Sequence, residues 1–188
     1  AALAVRRCAD RGHRTVALVM KDELREDFAG LVEGGDAVDA VILGDCGEEF
    51  GYALLNRAFR LLMDGAELIA LQRNRYWLTP DGLSLDVGPF VAALEYAAST
   101  EAFVVGKPAP AFFASALDGT GATAAEAAMV GDDVESDVGG ALRAGMAGIL
   151  VRTGKFREES VRAAGIRPTA IIDSIADLPA LLGDGSTA

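Results

Sequence analysis

Histidine is nearly missing from this chain of 188 residues, His13 being the single one. It lies between Arg11 and Arg14 in a turn-like stretch, and no residue near it would activate an imidazole, so histidine-based catalysis is set aside. Cysteine is almost as scarce, with Cys8 and Cys46 alone. Two cysteines provide neither a disulfide framework nor zinc-ligand spacing, and a reducing, cytoplasmic setting is expected. Positive charge is also short: 17 Lys and Arg face 28 Asp and Glu, a net charge of -11 at pH 7. That balance disfavours binding to nucleic acid or to an anionic membrane surface. An anionic substrate would then need local positive charge or a metal ion. No apolar run reaches membrane length and the first residues are not a signal peptide. Internal repeats and low-complexity linkers are lacking.

What the chain does have is apolar substance, 51% of its residues, which is ample for a sizeable core in one large domain or two small ones. Short apolar runs alternate with amphipathic stretches. Helical patterns cover residues 1–10, 21–30, 50–63, 90–98, 109–117, 135–143, 158–164 and 176–182. Strand-like runs cover 15–20, 37–43, 67–71, 103–105, 128–131, 148–151 and 170–172. Such alternation predicts an α/β fold, a parallel sheet with crossover helices. Pro80-Asp81-Gly82 reads as a turn. The loop-like stretch SLDVGP from Ser84 to Pro89 marks a boundary between a first domain, 1–84, and a second, 85–188. Thr123 is placed to cap a short helix, and the chain from Gly183 to Ala188 is expected to fray.

The most informative stretch is AMVGDDVESD, residues 128–137. An apolar run ends in a glycine, two adjacent carboxylates follow, and a third stands at the start of a helix. Asp132, Asp133 and Asp137 would repel one another unless a cation sat among them, and a hard cation such as Mg²⁺ meets that need through one or two carboxylates, waters and phosphate oxygens. The competing reading is a solvated acidic turn that caps the next helix. A second polar group follows another strand-like run, Lys107 after FVVG. In a parallel sheet the carboxyl ends of successive strands share one edge, so Lys107 and the acids are expected to face one crevice. An ammonium beside a carboxylate-held cation suits a phosphoryl group, whose transition state spreads negative charge over three oxygens. Asp137 is placed to orient Lys107 or a metal-bound water. A solvated loop lysine is the alternative for Lys107, and Arg152-Thr153-Gly154-Lys155 is either a rim of the site or solvated surface.

With these residues in view, VVGKP and MVGDDVESDVGGALRAGM resemble the third and fourth motifs of the haloacid dehalogenase superfamily of phosphotransferases. NRAFRLLMDGAELIAL, RYWLTPDGLSLDVGPFVAALEYA and VGKPAPAFF are similar to its branch with a large α/β cap inserted before the lysine motif. The resemblance runs from Ala1 to about Leu182. It implies a Rossmann-like core, of which this chain holds the C-terminal half, beside an α/β cap. It implies a Mg²⁺-dependent phosphatase working through an aspartyl-phosphate. Lys107 then neutralises phosphoryl charge, Asp132 is the metal ligand, Asp133 serves the metal from behind that ligand or through a water, and Asp137 is the second acid of the fourth motif. In the cap, Arg75 and Tyr76 are candidate substrate-binding residues, with Trp77 beside them; packing on the cap sheet is the alternative for Tyr76 and Trp77. The implied partner is a phosphorylated small molecule or phosphoprotein, inorganic pyrophosphate included, and a cap-to-cap homodimer would suit the family.

The family's nucleophile motif, Asp-x-Asp, and its Ser/Thr motif are not found in these residues. Ala116-Leu117-Asp118-Gly119-Thr120 echoes the tail of the former but reads as a turn at a helix end. The opening AALAVRRCADRG starts without methionine and within a helical pattern, so we expect sequence upstream of it. The chain alone is accordingly expected to be inactive. A non-catalytic binding module is the alternative to an enzyme.

Overall fold

Apolar residues that alternate in and out of a strand can serve two cores at once, and this is how the first half of the chain is built. The structure, a computed structural model, describes residues 1–183; the expected fraying beyond Gly183 lies outside the described residues. The chain divides into two compact units, Ala1–Gly106 and Lys107–Ala188. The expected boundary at 84/85 falls inside the first of these.

In the first unit come α1 (Ala2–Arg11), β1 (Thr15–Val19), β2 (Val32–Glu33), β3 (Ala40–Leu43), α2 (Tyr52–Met63), β4 (Glu67–Ala70), β5 (Tyr76–Thr79), β6 (Gly82–Leu85), α3 (Val87–Ala98) and β7 (Phe103–Val104). Five strands form a parallel sheet in the order β2-β1-β3-β4-β7. Ala17, Val19, Val41, Leu43, Leu68 and Ala70 point to one face, where they meet Ala58, Leu61 and Leu62 of α2 and Val87, Val91 and Leu94 of α3. The intervening residues Val16, Leu18, Ala40, Ile42 and Ile69 point to the other, onto Ala4 and Cys8 of α1 and onto Phe28. The spacings in α2 and α3 are those of a helix with one buried stripe. At the amino end of the sheet, Asp39 accepts hydrogen bonds from the N–H groups of Arg14 and Thr15 and from the Thr15 hydroxyl, each 2.8 Å long. These bonds tie the start of β1 to the start of β3 and hold the Asp39 carboxyl down at about 2.

Two local expectations are corrected, and one strand is added. The segment from Lys21 is a 3₁₀ turn over Asp22–Phe28 rather than an α-helix. Only Phe28 of it is buried, and Arg25 fastens it through Asp22, Glu33 and the Leu18 carbonyl. Val32–Glu33 adds a short exposed strand that no apolar pattern announces. The stretch SLDVGP is not a loop: β6 pairs antiparallel with β5 around the Pro80-Asp81 turn, and α3 begins at Val87, where Asp86 accepts a 2.7 Å bond from the Val87 N–H.

The second unit contains α4 (Pro110–Leu117), β8 (Ala128–Gly131), a π-helical turn over Val134–Gly139, α5 (Gly140–Arg143), β9 (Ala147–Val151), α6 (Glu158–Ala164), β10 (Ala170–Ile172) and α7 (Leu178–Leu182). Its parallel sheet runs β10-β9-β8, so β8 has a strand partner on one side only among the described residues. Phe113, Ala141 and Met146 make one small core; Val134, Val138 and Leu150 make another with Phe156, Val161 and Ile166 against them. Thr123 and Glu126 form the expected cap before β8. No helix of the described residues is long and apolar enough to cross a membrane.

Candidate active site

The candidate site lies in the second unit, and glycine builds it first. Gly131 ends β8 with the Asp137 carboxylate directly over it, where a Cβ would collide with that carboxylate. The two acids that follow are thereby fixed at the carboxyl end of β8, where α/β sheets present ligand-binding groups. Asp133 starts the π-helical turn: its Oδ1 accepts 2.9 Å bonds from the N–H groups of Glu135 and Ser136. Its own N–H donates to Asp137 Oδ2 at 3.2 Å. The wider turn places Asp137 on the side that faces back over Gly131, and its side chain is only 5% exposed.

Lys107 reaches this carboxylate, its Nζ 2.7 Å from Asp137 Oδ1. The pairing expected of these residues is therefore present, but the route to it differs. β7 adds to β4 in the first unit's sheet, whereas β8 pairs with β9 in the second's. The two strands do not share a sheet, and it is the chain beyond Gly106 that delivers Lys107. Gly106 packs so closely on the backbone of Leu71 that no Cβ fits, and a cis Lys107-Pro108 peptide follows the lysine.

Lys155, in the loop after β9, is the site residue that the sequence left undecided. Its ammonium is 2.7 Å from Asp133 Oδ2 and its side chain is 11% exposed. Its backbone N–H donates to Asp132 Oδ2 at 2.8 Å. Gly154, at φ +61°, turns the chain there, and a Cβ would run into the Asp132 carboxylate. A signal was present in the sequence: Gly-Lys occurs at both 106–107 and 154–155, directly after an apolar run in the first case and two residues beyond one in the second. Burial pushes the Asp133 carboxyl up, but the Lys155 ammonium and the Ser136 N–H outweigh it and hold it below the usual range. Burial likewise pulls the Lys155 ammonium down, and its bond to Asp133 more than restores it.

The mutual repulsion of three acids is thus relieved by two lysines. Asp137 has Lys107 and Asp133 has Lys155, and among the described residues Asp132 has no ion pair of its own. Among the described residues no group of three or more His, Cys, Asp or Glu side chains is arranged to hold a metal ion. Magnesium fits in a narrower way. It takes one or two carboxylates and completes its shell with water and phosphate oxygens. Asp132 can supply one such oxygen, since Oδ2 is tied to Lys155 and Oδ1 has no partner among the described residues. Asp133 would have to give up its lysine or its cap to ligate directly. Arg75 and Tyr76 lie in the first unit, where Arg75 precedes β5 and Tyr76 opens it opposite Leu85. Trp77 is 52% exposed, which does not fit the packed alternative for that ring.

Comparison with known proteins agrees with this architecture. The family described as HAD-hydrolase-like matches residues 104–178. Haloacid dehalogenase-like hydrolase domain-containing protein 2 of Homo sapiens is 51% identical over 154 residues, covering 82% of this chain and 59% of its own length. The chain thus spans between about half and three-fifths of such relatives. A 4-nitrophenylphosphatase from Thermotoga maritima superposes with a TM-score of 0.82 at 26% identity, over 94% of this chain and 69% of that one. A glycerol phosphate phosphatase from Mycobacterium tuberculosis, solved in complex with magnesium, does so with a TM-score of 0.74 at 28% identity, over 88% and 51%. By sequence and by architecture, the chain belongs to the haloacid dehalogenase (HAD) superfamily of hydrolases.

Proposed function

We propose that the second unit supplies the phosphoryl-holding part of a Mg²⁺-dependent phosphatase, and that the first unit is its α/β cap. The observation that carries this reading is the 2.7 Å pair between Lys107 and the buried Asp137, set beside the unpaired Asp132 oxygen. Asp137 holds the Lys107 ammonium in one position, so that its charge is already in place when a phosphoryl oxygen arrives. Asp132 would hold the metal, with Asp133 keeping the loop in shape and reaching the ion through water. A bound Mg²⁺ would supply charge neutralisation and Lewis acidity toward the phosphate. The names of the Thermotoga and Mycobacterium enzymes support a phosphate ester as substrate, and the magnesium in the second supports the cation. Arg75 and Tyr76 are the cap residues proposed to select a phosphorylated small molecule or phosphoprotein. Two buried free thiols, Cys8 and Cys46, suit a reducing compartment such as the cytoplasm.

The test is inorganic phosphate titrated into the chain with and without MgCl₂ and followed by NMR, for wild type and Lys107→Ala. Wild type is expected to bind phosphate more tightly with the metal present, and Lys107→Ala to lose about tenfold or more in phosphate affinity, as loss of a charge-assisted contact implies. Equal affinity in both proteins removes Lys107 from the phosphoryl site.

A further inference from the structure

A half-buried lysine inside an acid cluster competes with any cation that the cluster attracts. Lys155 lies with its ammonium on Asp133 Oδ2 and its backbone N–H on Asp132 Oδ2, so the one residue engages both adjacent acids. The ammonium takes the Asp133 oxygen that would give a divalent ion a second carboxylate, and the N–H decides which oxygen of Asp132 remains available. With Lys107 on Asp137, Asp132 is the one of the three carboxylates that has no ion pair among the described residues. A second full positive charge near this point repels Mg²⁺ and attracts phosphate.

We propose that Lys155 is a positioning residue acting as a resident counter-cation. It keeps the site weak for the bare metal and strengthens it for the phosphoryl group, so that the two ligands are favoured together over the metal alone. The inference rests on the phosphoryl-binding reading above and makes a prediction of opposite sign for the two ligands. A structural role would move both in the same direction.

The experiment titrates MgCl₂ alone and inorganic phosphate alone into the chain, following the amide signals of residues 131–137 and 153–156. Lys155→Gln is expected to bind Mg²⁺ about tenfold more tightly and phosphate about tenfold less tightly. That is the Coulomb effect of one unit charge on a divalent ion roughly 6 Å away at near-bulk screening. Lys155→Arg keeps the charge and is expected to stay near wild type for both ligands. Affinities for both ligands that fall together, or stay unchanged, in Lys155→Gln overturn the inference while leaving the site reading intact. So does an arginine variant that behaves like glutamine. Wild type that binds neither ligand sinks the site reading instead. Lys155→Met, which retains the apolar stem, repeats the test, and loss of the folded spectrum in both neutral variants would make Lys155 a structural residue and end the proposal.

Discussion

Asp39 shows how much one exposed side chain can do when the backbone comes to it. Three donors from Arg14 and Thr15 favour its charged form and hold its carboxyl at about 2, against an ordinary 3.8. A folded value below the unfolded one means that the stabilisation is complete above the ordinary value. It is lost as the pH falls from about 4 to about 2. Asp39→Asn is therefore expected to be less stable than wild type at pH 7 and to lose less stability across that acid window. Urea midpoints taken from pH 7 down to pH 2 check this, and parallel acid limbs in the two proteins would contradict it. Nothing in the sequence marked Asp39, because its partners lie 24 and 25 residues away and two of the three are backbone groups. Lys107 and Asp132 were legible because each directly follows an apolar run that ends in glycine, and Asp137 because it is a third acid at the start of the helical pattern that follows. Lys155 was legible only as an alternative. Its loop carries Arg152 and Thr153 as well, and composition does not say which of the four residues turns inward.

At the scale of elements, glycine contacts decide what the loops can be. Gly131 and Gly154 each lie where a methyl group would displace a site carboxylate, Asp137 in one case and Asp132 in the other. Gly131→Ala is expected to cost about 1–3 kcal/mol, as overpacking does in a filled interior, and to weaken phosphate binding because Asp137 and Lys107 must both shift. Thermal unfolding together with a phosphate titration measures both effects; an unchanged midpoint would show that the turn yields without strain. The long amphipathic helices and the fully apolar strands could be read from periodicity, since α2, β3 and β4 owe their form to burial. The 3₁₀ turn at Asp22–Phe28 and the pairing of β5 with β6 could not. The first is held by Arg25 and its acidic partners, and the second has Trp77, Leu78, Leu83 and Leu85 exposed, so neither leaves the inside–outside rhythm on which such reading depends.

For the whole molecule, the expectation is one of binding without turnover. Asp133 and Asp137 are each engaged by a lysine and by backbone, and the remaining oxygen of Asp132 is assigned to a cation, which leaves no site carboxylate of the second unit to attack phosphorus. The 188-residue chain is expected to hydrolyse no p-nitrophenyl phosphate at any MgCl₂ concentration. Metal-dependent release of nitrophenolate by pure chain would refute that assignment. The order β10-β9-β8 carries a different consequence. A strand bonded along one flank offers its other flank as a template on which a neighbouring molecule can build, the usual beginning of sheet-to-sheet clumping. Here the flank without a strand partner among the described residues belongs to a strand of four residues followed directly by Asp132 and Asp133, in a protein of net charge -11. Those acids are expected to keep copies of the chain apart by charge repulsion, so variants that neutralise them should be handled dilute, lest clumping be mistaken for a loss of ligand.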